Sequence, residues 1–102
     1  SIKMLITLER SGGFAGISKI IEVDTAKLPQ KQSEELTILF ETANFFNLSV
    51  YIVADSNQRD GFQYTLIVKD KNKQNTVTVS ESKIPDNLKP LMKWITCNGE
   101  II

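Results

Sequence analysis

Apolar side chains that recur at every second position, in runs joined by short links, constrain this chain more than any other feature. Ile2, Met4, Ile6 and Leu8 alternate with Lys3, Thr7 and Glu9, the pattern of a strand with one face buried; Leu5 is the exception. Ile17, Lys19, Ile21 and Val23 alternate with Ser18, Ile20, Glu22 and Asp24 and predict a second strand. Residues 10–16 lie between them, so the two runs form an antiparallel hairpin with a long, glycine-rich connection. A third strand is expected over 48–53. Phe62, Tyr64, Leu66 and Val68 then alternate with polar residues, turn chemistry follows at Asp70, Lys71, Asn72 and Lys73, and a β-branched run over 76–80 completes a second hairpin.

Two segments carry helical spacing instead. Within 28–46, Leu36, Leu39, Phe40 and Ala43 fall at i, i+3, i+4 and i+7, which puts them on one stripe, while Lys31, Glu34, Glu35 and Glu41 face water. Pro29 suits a first turn, where a missing N–H costs nothing. Leu88, Leu91, Met92 and Ile95 form the second stripe, with Asn98 and Gly99 past its end. Pro90 would interrupt a helix that began at Pro85, so regular helix is expected only from about Leu88. The element order is ββαβββα: an α+β fold with an antiparallel four- to five-stranded sheet and two helices packed on one face. Residues 1–102 suit a single domain, because two cores of about 50 residues each would sit near the lower limit for independent folding.

The chemistry available is narrow. The sequence contains no histidine, which removes the usual general base and the usual metal ligand together. One cysteine cannot assemble a zinc site, and the acidic residues do not form a calcium loop, so no metal and no cofactor are expected. Cys97 reads as a packing residue of the last helix. The carboxylate pairs Glu34 with Glu35 and Asp55 with Asp60 read as solvated surface, because adjacent helical residues point about 100° apart and nothing holds the loop acids at a fixed separation. Trp94 and Phe45, beside the apolar stripes, read as core or core margin. An enzyme is therefore disfavoured.

Basic and acidic residues balance at 12 each, so no net field draws the molecule to nucleic acid. No run of 18 apolar residues marks a membrane span, and no basic segment precedes an apolar stretch at the start; a cytoplasmic protein is expected, monomeric when free.

One segment exceeds what a hairpin needs. Two residues such as Asn-Gly would close the first hairpin, whereas Ser11, Gly12, Gly13, Phe14, Ala15 and Gly16 place three glycines around a phenylalanine. Such a backbone can approach another surface closely; equally, it can form a bulged hairpin with Phe14 folded over the sheet edge. It does not match a phosphate cradle, since it leads into a strand rather than a helix N-terminus.

From Glu9, Arg10, Ser11, Gly12, Gly13, Phe14, Ala15 and Gly16 onward, the chain resembles the emfourin family of protealysin-associated inhibitors. The likeness continues through Leu28-Pro29, the helix ending Ala43, Asn44, Phe45 and Phe46, the strand opening Phe62, Gln63 and Tyr64, the run Val77 to Ser80, and Ile84, Pro85, Leu88, Pro90, Leu91 and Trp94. The octapeptide is the specific block; the middle loop, 55–61, matches least. The resemblance implies an intracellular bacterial protein that binds and blocks thermolysin-like zinc metalloproteases. On that footing the protease-binding residues are expected at Arg10, Ser11, Gly12, Gly13, Phe14, Ala15 and Gly16, with Phe14 entering an apolar pocket and Arg10 pairing with an acidic rim. A regulatory module that docks on a non-protease partner is the alternative.

Overall fold

The structure, a computed structural model, describes residues 3–12, 19–48, 51–52, 61–71 and 73–102. Four long strands, β1 (Met4–Gly12), β2 (Lys19–Asp24), β4 (Phe62–Asp70) and β5 (Lys73–Ser80), are joined by two short ones, β3 (Tyr51–Ile52) and β6 (Glu100–Ile101). Helix α1 spans Gln30–Ala43 and α2 spans Lys89–Asn98. The sheet order is β3-β5-β4-β1-β2-β6. All neighbours run antiparallel except β3, which lies parallel to β5. The α+β fold expected from the alternation is thus present, with both hairpins in place; β6 is an addition that no periodicity over two residues could announce.

The side-chain period of two sorts the sheet into a covered and an uncovered face. On the covered face Val23, Ile6 and Val68 form one cross-strand row, and Ile21, Leu8, Leu66 and Val77 form the next. All seven are buried, as is Val79. Both helices lay their apolar stripes here: Leu36, Phe40 and Ala43 from α1, and Leu91, Met92 and Ile95 from α2, in one continuous cluster with Leu88 and Phe45. Each such side chain contributes about 1.5–3 kcal/mol on burial. The uncovered face carries Thr7, Glu9, Glu22, Thr65 and Lys69, with Leu5 half-buried among them.

Local chemistry sets the ends of the helices. Asn44 adopts the left-handed conformation at φ 51° and stops α1. The Asn87 side chain donates to the terminal carbonyls of Thr42 and Ala43 at 3.3 and 3.4 Å, which joins the end of α1 to the approach of α2. Phe45 then folds under the helix, edge-on to Phe40 at 5.5 Å. Pro29 stands one residue before α1 rather than inside its first turn. Pro90 falls in the first turn of α2, where its missing N–H has no intrahelical partner to lose, so the helix begins at Lys89 without a kink. Trp94 is half-buried against the core.

Cys97 is exposed, which corrects its reading as a packing residue. The buried stripe of α2 runs through Leu88, Leu91, Met92 and Ile95, and position 97 lies about 200° around the helix from 95, on the far side. Gly99 continues the stripe. Its N–H donates to the Ile95 carbonyl at 2.8 Å, and a Cβ there would stand 2.4 Å from Ile21 Cγ2 and 2.8 Å from the Ile95 oxygen. Gly99→Ala is therefore expected to cost about 1–3 kcal/mol by overpacking. Gly61→Ala, with open space around the new methyl, should shift stability by less than about 0.5 kcal/mol. Urea denaturation of both variants checks the contrast.

Candidate functional site

β1 runs from Met4 to Gly12 and β4 runs back from Phe62, so Gly12 and Gly61, the described residues that border 13–18 and 53–60, lie at the same end of the sheet. Three of the expected site residues lie within β1. Arg10 is opposite Lys19 on one side and Tyr64 on the other, Ser11 is opposite Gln63, and Gly12 is opposite Phe62. Arg10 and Ser11 are thus sheet residues rather than the start of a loop. The reason is long-range: β4 offers backbone partners as far as Phe62, and an extended β1 satisfies its own N–H and C=O groups by pairing with them. Gly13, Phe14, Ala15 and Gly16 lie outside the described residues, as do Asp55 and Asp60.

Gly12 is where the strand geometry ends. Its φ of 99° is one that side chains with a Cβ rarely adopt, and a Cβ would stand 3.1 Å from the Gly61 carbonyl oxygen. The roots of the two segments therefore approach at backbone distance. Ser11 is half-buried and follows the uncovered face by its parity with Thr7 and Glu9.

Arg10 follows the covered face, in line with Ile6 and Leu8, but beyond the reach of the helices. Its guanidinium carbon lies 4.6 Å from the centroid of the Phe62 ring. Its Nε is buried and has no hydrogen-bond partner among the described residues. The Tyr64 hydroxyl donates to Glu81 Oε2 over a long 3.4 Å. Burial pushes the Tyr64 hydroxyl above the ordinary tyrosine range; the Glu81 carboxylate adds to the rise, while the Arg10 charge and its hydrogen bond to the same hydroxyl oppose it. Tyr64 is consequently a neutral donor at physiological pH. Sequence reasoning placed Arg10 here but missed Phe62, Tyr64 and Glu81 as its company; the signal was the charge at position 10, which continues a buried alternation.

No three His, Cys, Asp or Glu side chains converge on a metal-sized space among the described residues. Glu34 and Glu35 are both exposed on α1, and Glu34 accepts from Gln30 Nε2 at 3.2 Å. A shallow groove at the opposite end of the sheet, beside Met4, Ala26, Leu28 and Ile38, gathers no set of reactive groups. No described helix is long and apolar enough to cross a membrane.

The described residues define an α+β fold with a six-stranded sheet, whose central strand β1 ends at Gly12, where the glycine-rich part of the sequence follows. The emfourin family model matches residues 8–96, and the chain belongs to the emfourin family. Among solved structures, the chain is similar to emfourin from Serratia proteamaculans, described as an M4 family peptidase inhibitor. The two share 17% identity with a TM-score of 0.51, and the match covers 96% of this chain and 91% of the other. At that identity the likeness is one of fold. Curated protein sequences returned no match.

Gly12→Ala is expected to lose about 1–3 kcal/mol in urea denaturation, because the backbone at this root has to stay in a region hostile to a Cβ.

Proposed function

We propose that the chain is a proteinaceous inhibitor of zinc metalloproteases, and that its target is a thermolysin-like protease of the protealysin type. It binds and does not catalyse. The observation that carries this reading is the family match over residues 8–96, which takes in the whole glycine-rich segment, all of β2 and β1 from Leu8 onward. The described surroundings favour a substrate-mimicking mode of attack. Thermolysin-like clefts are narrow, hold an extended chain, and accept a bulky apolar side chain just after the scissile bond. The segment follows a strand that is paired on both sides as far as Arg10 and with β4 as far as Gly12.

In this mechanism Phe14 fills the apolar pocket, Gly12 and Gly13 let the backbone pass the cleft walls, and Ala15 and Gly16 form the returning limb. Ser11, or a backbone carbonyl beside it, approaches the protease's own zinc. Because both ends of the segment are tied to strands, a cut peptide could not relax apart, and dissociation would be slow. The setting is the bacterial cytoplasm, where the inhibitor restrains a protease made in the same cell.

The test is inhibition of thermolysin cleaving a small peptide substrate. Full protease activity at stoichiometric protein would remove the inhibitor reading for that enzyme. Given inhibition, Phe14→Ala is expected to raise the inhibition constant by about 30-fold or more, the scale of a buried aromatic anchor. Gly13→Val should raise it by about tenfold or more through lost clearance and preorganisation. Unchanged constants for both variants would move the wedge to another surface, the 54–61 loop or the chain's N-terminus.

A further inference from the structure

We infer that Arg10 is a positioning residue, which locks the roots of segments 13–18 and 53–60 together through Phe62, Tyr64 and Glu81 rather than by touching the protease. The geometry stands on its own; its consequence for inhibition rests on the inhibitor reading above.

Position 10 continues the buried alternation of Ile6 and Leu8, and an apolar residue there would satisfy the core. A half-buried guanidinium with an unpartnered Nε is a poor choice for stability alone, since polar clusters of this sort are often matched or bettered by apolar replacements of similar volume. What the cation supplies is direction. It lies on the Phe62 ring, interacts with the Tyr64 hydroxyl, and through it meets Glu81. These side chains come from the last turn of β1 pairing, the first residues of β4 and the turn that follows β5. Arg10 faces Tyr64 directly in register, and Phe62 faces Gly12, the residue at which β1 gives way to segment 13–18. The cluster therefore crosses the two strand ends that deliver both segments. A guanidinium engaged in this way on its own molecule has a different role from the acidic-rim contact expected from the sequence, and the inhibition arm of the experiment separates the two.

The experiment combines amide hydrogen exchange of the free protein with inhibition of thermolysin, using Arg10→Met, Arg10→Lys and Tyr64→Phe. Methionine keeps an apolar stem of similar length, and Tyr64→Phe removes one oxygen without changing ring volume, so at least one variant keeps the fold. Exchange at residues 11–12 and 62–63 is expected to accelerate about tenfold in Arg10→Met, with exchange in α2 unchanged. Tyr64→Phe should move the same amides in the same direction by a smaller factor. In the inhibition arm both variants weaken binding. Arg10→Lys does not restore it, because an ammonium is a point charge that cannot lie flat on the Phe62 ring as a guanidinium does. Unchanged exchange at the strand ends in folded Arg10→Met and Tyr64→Phe would overturn the proposal, whatever the inhibition result. Restoration of full inhibition by Arg10→Lys would also overturn it, in favour of a direct charge contact. If the unaltered protein fails to inhibit thermolysin while exchange accelerates as expected, the lock stands and the inhibitor reading for that enzyme falls.

Discussion

β1 pairs along its full nine residues with β4 and along six of them with β2. This double pairing places β1 between β2 and β4 and so joins the two hairpins into one sheet, and the two hydrophobic rows of the sheet exist only because of it. Ile6 joins Val23 to Val68, and Leu8 joins Ile21 to Leu66. Without the β1–β4 ladder the hairpins would be two-stranded ribbons with nothing continuous for α1 and α2 to cover, and ribbons of that kind are marginal in water.

The same ladder determines where β1 gives way to the glycine-rich part of the sequence. Pairing to Phe62 carries β1 four residues past Leu8, the last apolar residue of its alternation, and it brings Gly12 against the Gly61 carbonyl. The end of the sheet away from the 25–27 turn thus gathers the roots of segments 13–18 and 53–60 and the Glu81 turn. At the other end the chain is closed by Thr25, whose hydroxyl accepts from the Met4 N–H at 2.7 Å and donates to the Met4 carbonyl at 3.2 Å. One end is sealed by the hydrogen bonds between Met4 and Thr25, and the other holds the strand ends that border segments 13–18 and 53–60.

Arg10 shows how a single side chain can belong to both worlds. By parity it is a core position, by location it lies beyond the helices, and by chemistry it needs something to hold a charge half out of water. Phe62 offers the face of its ring and Tyr64 stands opposite in register, so among the described residues the charge is accommodated by an aromatic face rather than by an ion pair. The result is a stiff base for a segment rich in glycine, and a binding segment gains affinity when its base does not have to be ordered on contact.

The sequence by itself determined what depends on neighbours within a turn or a strand. Alternation at Ile6 and Leu8, at Ile21 and Val23, and at Leu66 and Val68 predicts the long strands; the stripe of Leu36, Phe40 and Ala43 predicts α1; and the conflict between Pro85 and Pro90 places the start of α2 within a residue of Lys89. The glycine-rich segment stood out for the same reason, because its composition exceeds what its own hairpin requires. Only the tertiary structure decided that Arg10 and Ser11 continue a strand, that β3 pairs parallel with β5, that Glu100 and Ile101 close the sheet beside β2, and that Cys97 faces outward. Each of those rests on a partner tens of residues away or on the angular position of one helix against a sheet. Backbone pairing carries no side-chain period of its own, so it becomes legible only once both strands are in place.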